Sequence, residues 1–482
     1  MKNKKKKIGF TLIELLAVII VLAIIALIAT PIIFNVIENA KIKSLENSCY
    51  GVIDAVRTNY AEGLLNSEDG TVKLKGSVKE ITVAGEQPIA GKWEIDNSSD
   101  SDNRGIKIKD VKFGSMKDYT CTNVNSDGTI NSKVTCTKGG SDGPVSEYID
   151  NSGANKPELF NNMKPIKYEN EKWLVANTSQ KWYDYDAKEW ANAVVLNSGV
   201  TKNVGDEVTE EEISLWYVWI PRYKYKKFSN TPKEQEISVI FENGTSTTGT
   251  GENVTHPAFT FGSTELTGFW VGKFEVSGST SEITVKPNVT SLRSQIVSSF
   301  FTAIQNVKTT YGINNADSHM MKNMEWGAVA YLKQSQYGLG TTDIAVNTNS
   351  NFYTGGGQSD AYKTNVAQST TGNIYGIYDM SGGAFEYVMG NYNDTISNTG
   401  FSSMPAAKYY DKYTSSTGKT GDATTETSGW YGDQAIFPNS SNSWFHRGGY
   451  YGNGSGAGVF GFHYYNGYRN DFDSARAVLS AP

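Results

Sequence analysis

The chain has 482 residues, which suggests about three units of roughly 150 residues each, with several adequate cores. Its formal net charge of -6 makes it a poor nucleic-acid binder, because a phosphate backbone favours cations. Cysteine use is sparse, at three residues.

The first element is the apolar run Ile8 to Phe34, which follows MKNKKKK and holds one ionisable side chain, Glu14. A bilayer-crossing helix needs about 20 apolar residues, so residues 10–34 suffice. The basic flank keeps its own end in the cytoplasm, which puts the C-terminus outside. An ordinary signal peptide or plain anchor is the simple alternative. Against the first, the run passes into a polar helix without a small-residue cleavage site. Against both, a carboxylate inside a spanning segment is costly and points to function.

Lys7-Ile8-Gly9-Phe10-Thr11-Leu12-Ile13-Glu14 resembles the type IV prepilin signal. The resemblance implies that residues 1–9 are a leader, cut by prepilin peptidase between Gly9 and Phe10, with methylation of the new amine. It also implies assembly with other pilin subunits and their machinery, at the cell surface or in a pilus. Losing the leader removes five lysines and takes the charge from -6 to -11. Glu14 would then lie among packed apolar helices and need a cation. A neighbouring subunit's Phe10 amine is the expected one. Pro31 removes a backbone donor and should kink the helix.

Apolar residues continue at helical spacing: Val36, Ile37, Ala40, Leu45, Cys49, Val52, Ile53, Val56, Tyr60 and Leu64. Gly63 and the polar stretch 66–70 stop the pattern, so the stem helix is predicted over 10–64. Its second half has an apolar face that must be covered. Gly76–Val83, Gly91–Asp96, Ile106–Phe113 and a hairpin carrying Cys121 and Cys136 read as an antiparallel head over 65–140. Asn125 to Gly128 reads as the hairpin turn. A Cys121–Cys136 disulfide would stabilise by roughly 3 kcal/mol; two unpaired thiols are the alternative. Cys49 has no evident partner.

Residues 141–157 read as a linker and 158–482 as a separate domain rich in Tyr, Trp, Gly and Asn. Many short strands are expected there, with few helices. One helix is predicted from Ser291, as cap, to Val307. Another is predicted from His319 to Leu332, with Met320, Met324 and Ala328 on one face.

Five segments of this domain carry a second resemblance. They are Tyr217 to Arg222, Gly268 to Ser277, Met324 to Ala330, Asn373 to Tyr387, and Arg447 to Tyr450 ahead of Ser474-Ala475-Arg476-Ala477-Val478. In this order they resemble the formylglycine-generating-enzyme (sulfatase-modifying-factor) superfamily. The resemblance implies a loop-rich C-type-lectin-like domain. The predicted fold class is therefore α+β: a long pilin helix, a small antiparallel β head, then the lectin-type domain. Enzymes of that superfamily use cysteines or cofactor-specific groups. This domain has no cysteine beyond Cys136, and His256, His319, His446 and His463 show no metal spacing. Asp379, Glu386, Arg447 and Arg476 match motif positions and read as scaffold. No enzyme activity, metal or cofactor is expected. Calcium is allowed by Asp379, Asp471 and Asp473, with no motif that specifies it.

From Trp444 the chain reads WFHRGGYYGNGSGAGVFGFHYYNGYRNDFDSARAVLSAP. Tyrosines set among small polar residues give rigid contact area with adaptable hydrogen bonding, as in a paratope. Tyr450, Tyr451, Asn453, His463, Tyr464, Tyr465, Tyr468 and Asp471 are the candidate ligand-binding residues, expected exposed on one face. An aromatic core is the alternative. The tail also resembles the variable region of diversity-generating-retroelement targets, where Arg-Gly-Gly leads in and an Arg-containing strand closes. The reading is a minor or tip-located pilin-like surface protein presenting an adhesin for a protein or glycan. The alternatives are a pseudopilin of a type II secretion or DNA-uptake machine, and an anchored oxidase.

Overall fold

The computed structural model describes residues 40–67, 72–96, 105–116, 119–124, 129–138 and 148–482. Gly9, Phe10, Glu14 and Pro31 lie outside these, as does the hairpin turn 125–128. Among the described residues no helix is long and apolar enough to cross a membrane. The chain divides into two compact units, Met1–Ser146 and Glu147–Pro482. Together they are α+β, with antiparallel sheets dominating.

In the first unit, residues 40–66 form helix α1, so Gly63 does not stop it. Leu45, Cys49, Val52, Ile53 and Val56 recur on one helical face and are buried. They pack against a five-stranded antiparallel sheet of β1 (Lys75–Ser77), β2 (Pro88–Ile95), β3 (Ile106–Phe113), β4 (Tyr119–Val124) and β5 (Ile130–Lys138), in that order. The predicted strand Gly76–Val83 is cut short, because Val78–Glu80 turn into a 3-10 helix capped by Ser77. In β3 the buried set is Ile106, Ile108, Val111 and Phe113. The alternation skips a residue at Asp110, whose φ is 56°, opposite a register shift near Gly91. This extra residue is a β-bulge. Cys121 and Cys136 are directly paired across β4 and β5 and form a disulfide.

The second unit holds two main sheets. The larger is built from β6 (Met163–Glu169), β7 (Lys172–Val175), β8 (Asn192–Leu196), β9 (Ile213–Pro221), β10 (Gly268–Gly272), β11 (Asp317–Met320) and β17 (Ala477–Ser480). Its order is β11-β17-β10-β9-β8-β6-β7, antiparallel throughout. All nine residues of β9, ISLWYVWIP, are buried. Such a continuous apolar run marks a strand covered on both faces. The tryptophans there keep their N–H groups bonded: Trp216 donates to Asn192 Oδ1 at 2.8 Å and Trp219 to the Asn155 carbonyl at 3.1 Å. The smaller sheet comprises β12 (Phe385–Tyr392), β13 (Asp411–Tyr413), β14 (Trp444–Gly448) and β15 (Gly458–Tyr465), ordered β13-β12-β14-β15. Strand β16 (Asp473–Ala475) also pairs with β12.

Three boundaries differ from the sequence reading. Residues 148–157, expected as linker, belong to this unit. Asn155 is buried and its Nδ2 donates to the carbonyls of Gly244 and Thr267, both at 2.8 Å. Helix α2 is Val297–Thr310, and Ser291 does not cap it. Ser291 is buried and its hydroxyl bonds the Glu275 carboxylate. The first N–H groups of α2 go instead to the carbonyls of Gly467 and Thr399, at 3.2 and 3.1 Å. Helix α3 is Asn323–Lys333, because His319 sits in β11. Every residue of α3 is buried, so no single face of Met324 and Ala328 defines it.

Candidate functional site

The candidate face is built on β12, β14 and β15 and the two loops that leave them. In the register Tyr387 faces His446, which faces His463, while Glu386 faces Arg447, which faces Phe462. Successive side chains alternate across a sheet. Phe385, Tyr387, His446, His463 and Tyr465 therefore share one side. Glu386, Arg447, Phe462 and Tyr464 share the other.

Tyr464 and Tyr465 were expected on one exposed face. They point to opposite faces and both are half-buried. Tyr450, Tyr451, Asn453 and His463 are half-buried as well. Only Tyr468 and Asp471 among the candidates are exposed, Tyr468 at 45%. Side chains this short of solvent still offer ring edges and faces.

Five rings run in a continuous row. Tyr451 meets Tyr450 at 5.2 Å between centroids, Tyr450 meets Phe385 at 5.3 Å, Phe385 stacks on His446 at 5.1 Å, and His446 stacks on Tyr465 at 5.0 Å. Phe472, 39% exposed, joins Tyr450 at 4.9 Å. Offset and edge contacts at these separations are favourable beyond area burial. Phe385 and Phe472 were not singled out from the sequence. They lie far apart along the chain, and only the sheet topology gathers them.

Two backbone devices hold the first loop. Gly448 and Gly449 have φ of 79° and 71°. A Cβ on Gly449 would come within 2.6 Å of the Ala457 Cα. The Asn453 side chain accepts from the Tyr450 N–H at 2.9 Å, so its carbonyl oxygen serves the loop instead of a ligand. The second loop is tied back through Asp471, whose carboxylate accepts from Ser294 and whose carbonyl accepts from Arg293. Tyr468 lies under the Arg469 guanidinium at 5.6 Å, and its carbonyl accepts from the Tyr387 hydroxyl at 2.8 Å.

Beneath the face Arg476, Glu386, Arg447 and Asp379 are hydrogen-bonded, whereas neither carboxylate oxygen of Asp473 is. Arg476 grips Glu386 with two N–H groups and donates to the carbonyls of Gly272 and Tyr378 at 2.8 and 3.0 Å. Among the described residues Arg447 forms no ion pair with a carboxylate within 4 Å. It donates to Asn323 Oδ1 at 2.8 Å and to the carbonyls of Asp422 and Ala423 at 3.1 and 2.9 Å. Burial pushes its pKa down to about 10. The Asp379 carboxylate accepts from Asn347 Nδ2 and the Gly355 N–H, both at 2.9 Å. Nitrogen donors are the opposite of what a calcium ion requires of its surroundings. Asp473 is fully buried, with Oδ2 at 3.3 Å from His446 Nε2. Lys273 was also missed, although the motif containing it was noted. It is fully buried, donates to Asn192 Oδ1 and two carbonyls, and burial drives its pKa well below the usual lysine range.

The remaining histidines serve the scaffold. His256 donates from Nε2 to the Gly421 carbonyl at 2.8 Å and accepts at Nδ1 from the Ala258 N–H at 3.2 Å. This tautomer follows from the partners. Burial lowers its pKa to about 3. His319 lies between Asp317 at 3.1 Å and Glu325 at 2.9 Å. Burial opposes its charge, but Glu325 and Asp317 outweigh that and lift the pKa to about 9. His463 is half-buried, and burial lowers its pKa.

Residues 4–30 match the prokaryotic N-terminal methylation motif. Over 93 residues the chain is 30% identical to prepilin peptidase-dependent protein A of Clostridium perfringens (strain 13 / Type A). That match covers 19% of this chain, and the chain spans 66% of the relative's length. Among solved structures it is similar to the Major Tropism Determinant U1 variant, at 13% identity, TM-score 0.27 and coverage of 83% and 82% of the two chains. The I1 variant gives 12% identity and TM-score 0.27, covering 83% of each chain.

Proposed function

We propose that this is a minor or tip-located type IV pilin-like surface protein whose 147–482 unit, of C-type-lectin type, is an adhesin and not an enzyme. The observation that carries the reading is the continuous row of rings from Tyr451 to Tyr465, partly exposed except at the buried His446, with Phe472 beside it. Rigid aromatic area beside small polar loop residues suits binding at low entropic cost. The buried guanidiniums of Arg447 and Arg476 are bonded to Glu386, Asn323 and backbone carbonyls, which suits a rigid platform. The methylation motif supports processing by prepilin peptidase, insertion through residues 10–34 with the C-terminus outside, and assembly with other subunits. Replacement of ligand-facing residues between Tyr450 and Asp471 is the expected route to new specificity. The ligand class is protein or glycan.

The test uses cells displaying the full chain, scored for adhesion to mucin-coated and fibronectin-coated surfaces. Tyr468→Ala with Phe472→Ala should cut adhesion at least about tenfold, because hot-spot rings each contribute roughly 2 kcal/mol or more. Surface level and melting temperature should hold, since both side chains are partly exposed. Unchanged adhesion in the double variant would remove this face as the binding site. Filament incorporation without adhesion to any surface would favour the pseudopilin alternative.

A further inference from the structure

Cys49 on α1 is a buried free thiol, and its sulfur lies within 4.8 Å of both sulfurs of the Cys121–Cys136 disulfide. All three residues sit in the core of the first unit, between the helix face and the sheet. A helix thiol held against a hairpin disulfide has one chemistry open to it without any added reagent. We propose that Cys49 exchanges with this disulfide, so that the covalent link moves from within the hairpin to between helix and sheet.

The step balances by itself. The Cys49 thiol releases its proton to solvent, and the thiolate attacks Sγ of Cys121 or Cys136. A new S–S bond forms to Cys49, the Cys121–Cys136 bond breaks, and its electron pair leaves on the displaced cysteine. That thiolate takes up a proton. One disulfide and one thiol stand on each side, so no oxidant is consumed.

The same core governs the rate. Burial, followed by the nearby Glu46 charge, pushes the Cys49 thiol up to about 12. A thiolate is the attacking species, so exchange in the docked arrangement is slow near neutral pH and speeds up as pH rises. Leu45, Val52, Ile53 and Val56 hold the helix down. The product covalently fastens α1 to the sheet. Exchange therefore acts as a latch that fastens the docked helix once the thiol ionises.

The experiment follows the free thiol in the full chain in detergent micelles. Samples held at pH 7, 8, 9 and 10 are quenched in acidic denaturant with N-ethylmaleimide and digested with trypsin. Cleavage after Lys43, Arg57, Lys117, Lys133 and Lys138 puts the three cysteines on separate peptides. The label should begin on Cys49 and appear with time on Cys121 or Cys136. The initial rate should climb about tenfold per pH unit and be independent of protein concentration. Cys49→Ser should take no label at any time, because its disulfide has no internal thiol to attack it. Label confined to Cys49 at every pH overturns the proposal. A rate that scales with protein concentration also overturns it, since exchange would then run between molecules.

Discussion

His319 provides a test of the scaffold's electrostatics that no binding assay is needed to read. It is fully buried in β11, stacks on Phe261 at 4.6 Å, and is bonded to carboxylates at both ring nitrogens. Its pKa of about 9 in the folded chain lies above the ordinary 6.5. A raised folded-state value means that the cation contributes stability fully below pH 6.5. That contribution is lost as pH climbs through 9. At about 1.4 kcal/mol per pH unit the gap converts to about 3 kcal/mol. His319→Gln keeps two polar contacts but removes the charge, leaving Asp317 and Glu325 without their central cation. Chemical denaturation followed by tryptophan fluorescence, run from pH 6 to 10 on both proteins, gives the difference directly. Other groups that titrate in this range, such as Lys408 bonded to Asp317, are present in both and largely cancel. The wild type should lead by about 3 kcal/mol more at pH 6 than at pH 10. An equal gap at both ends would show that the imidazole is neutral in the fold, and the ion-pair argument would fall.

Four further outcomes are expected. Glu386→Gln should cost about 3 to 5 kcal/mol in equilibrium unfolding, because it leaves the Arg476 guanidinium buried without its counter-charge; a loss below about 1 kcal/mol would contradict this. Gly449→Ala should displace the first loop, since its Cβ meets Ala457 and φ is 71°, and should weaken adhesion more than it lowers the melting temperature. An alanine variant with wild-type adhesion would mean the loop's shape is irrelevant. For the stem, the mature chain should start at Phe10 by terminal sequencing, and Glu14→Ala should leave cleavage intact while filament incorporation falls. A cut after Ala29 would instead make this an ordinary secreted protein.

Local pattern carried the first unit. The alternation of Ile106 with Ile108 and of Val111 with Phe113, either side of the bulge, and the spacing of Leu45, Cys49, Val52 and Val56 each belong to one element, so periodicity finds them. The cysteine hairpin was legible for the same reason. The binding face was legible only as composition. Tyr464 and Tyr465 are adjacent on a strand and must diverge, which residue types do not reveal but a period of two does. Ser291 has the chemistry of a helix cap, yet a buried contact with Glu275 claims its hydroxyl, an outcome that depends on residues distant in the chain. Phe385 and Asp473 reach the face by pairing β12 with β16, which no local window contains.

Both ends of the aromatic tail stand on arginines that solvent does not reach. Arg447 is footed in backbone carbonyls and Asn323, and Arg476 in Glu386 and two carbonyls. None of those partners lies between residues 450 and 472. Within that interval Phe462 packs on the Arg447 guanidinium and Val459 and Phe460 are core, but exposed side chains there, such as Tyr468, can be exchanged without removing a hydrogen-bond partner of either arginine. The two guanidiniums are thus held by atoms that lie outside the tail's exposed positions. A substitution at an exposed position of the tail therefore leaves both anchors as they stand.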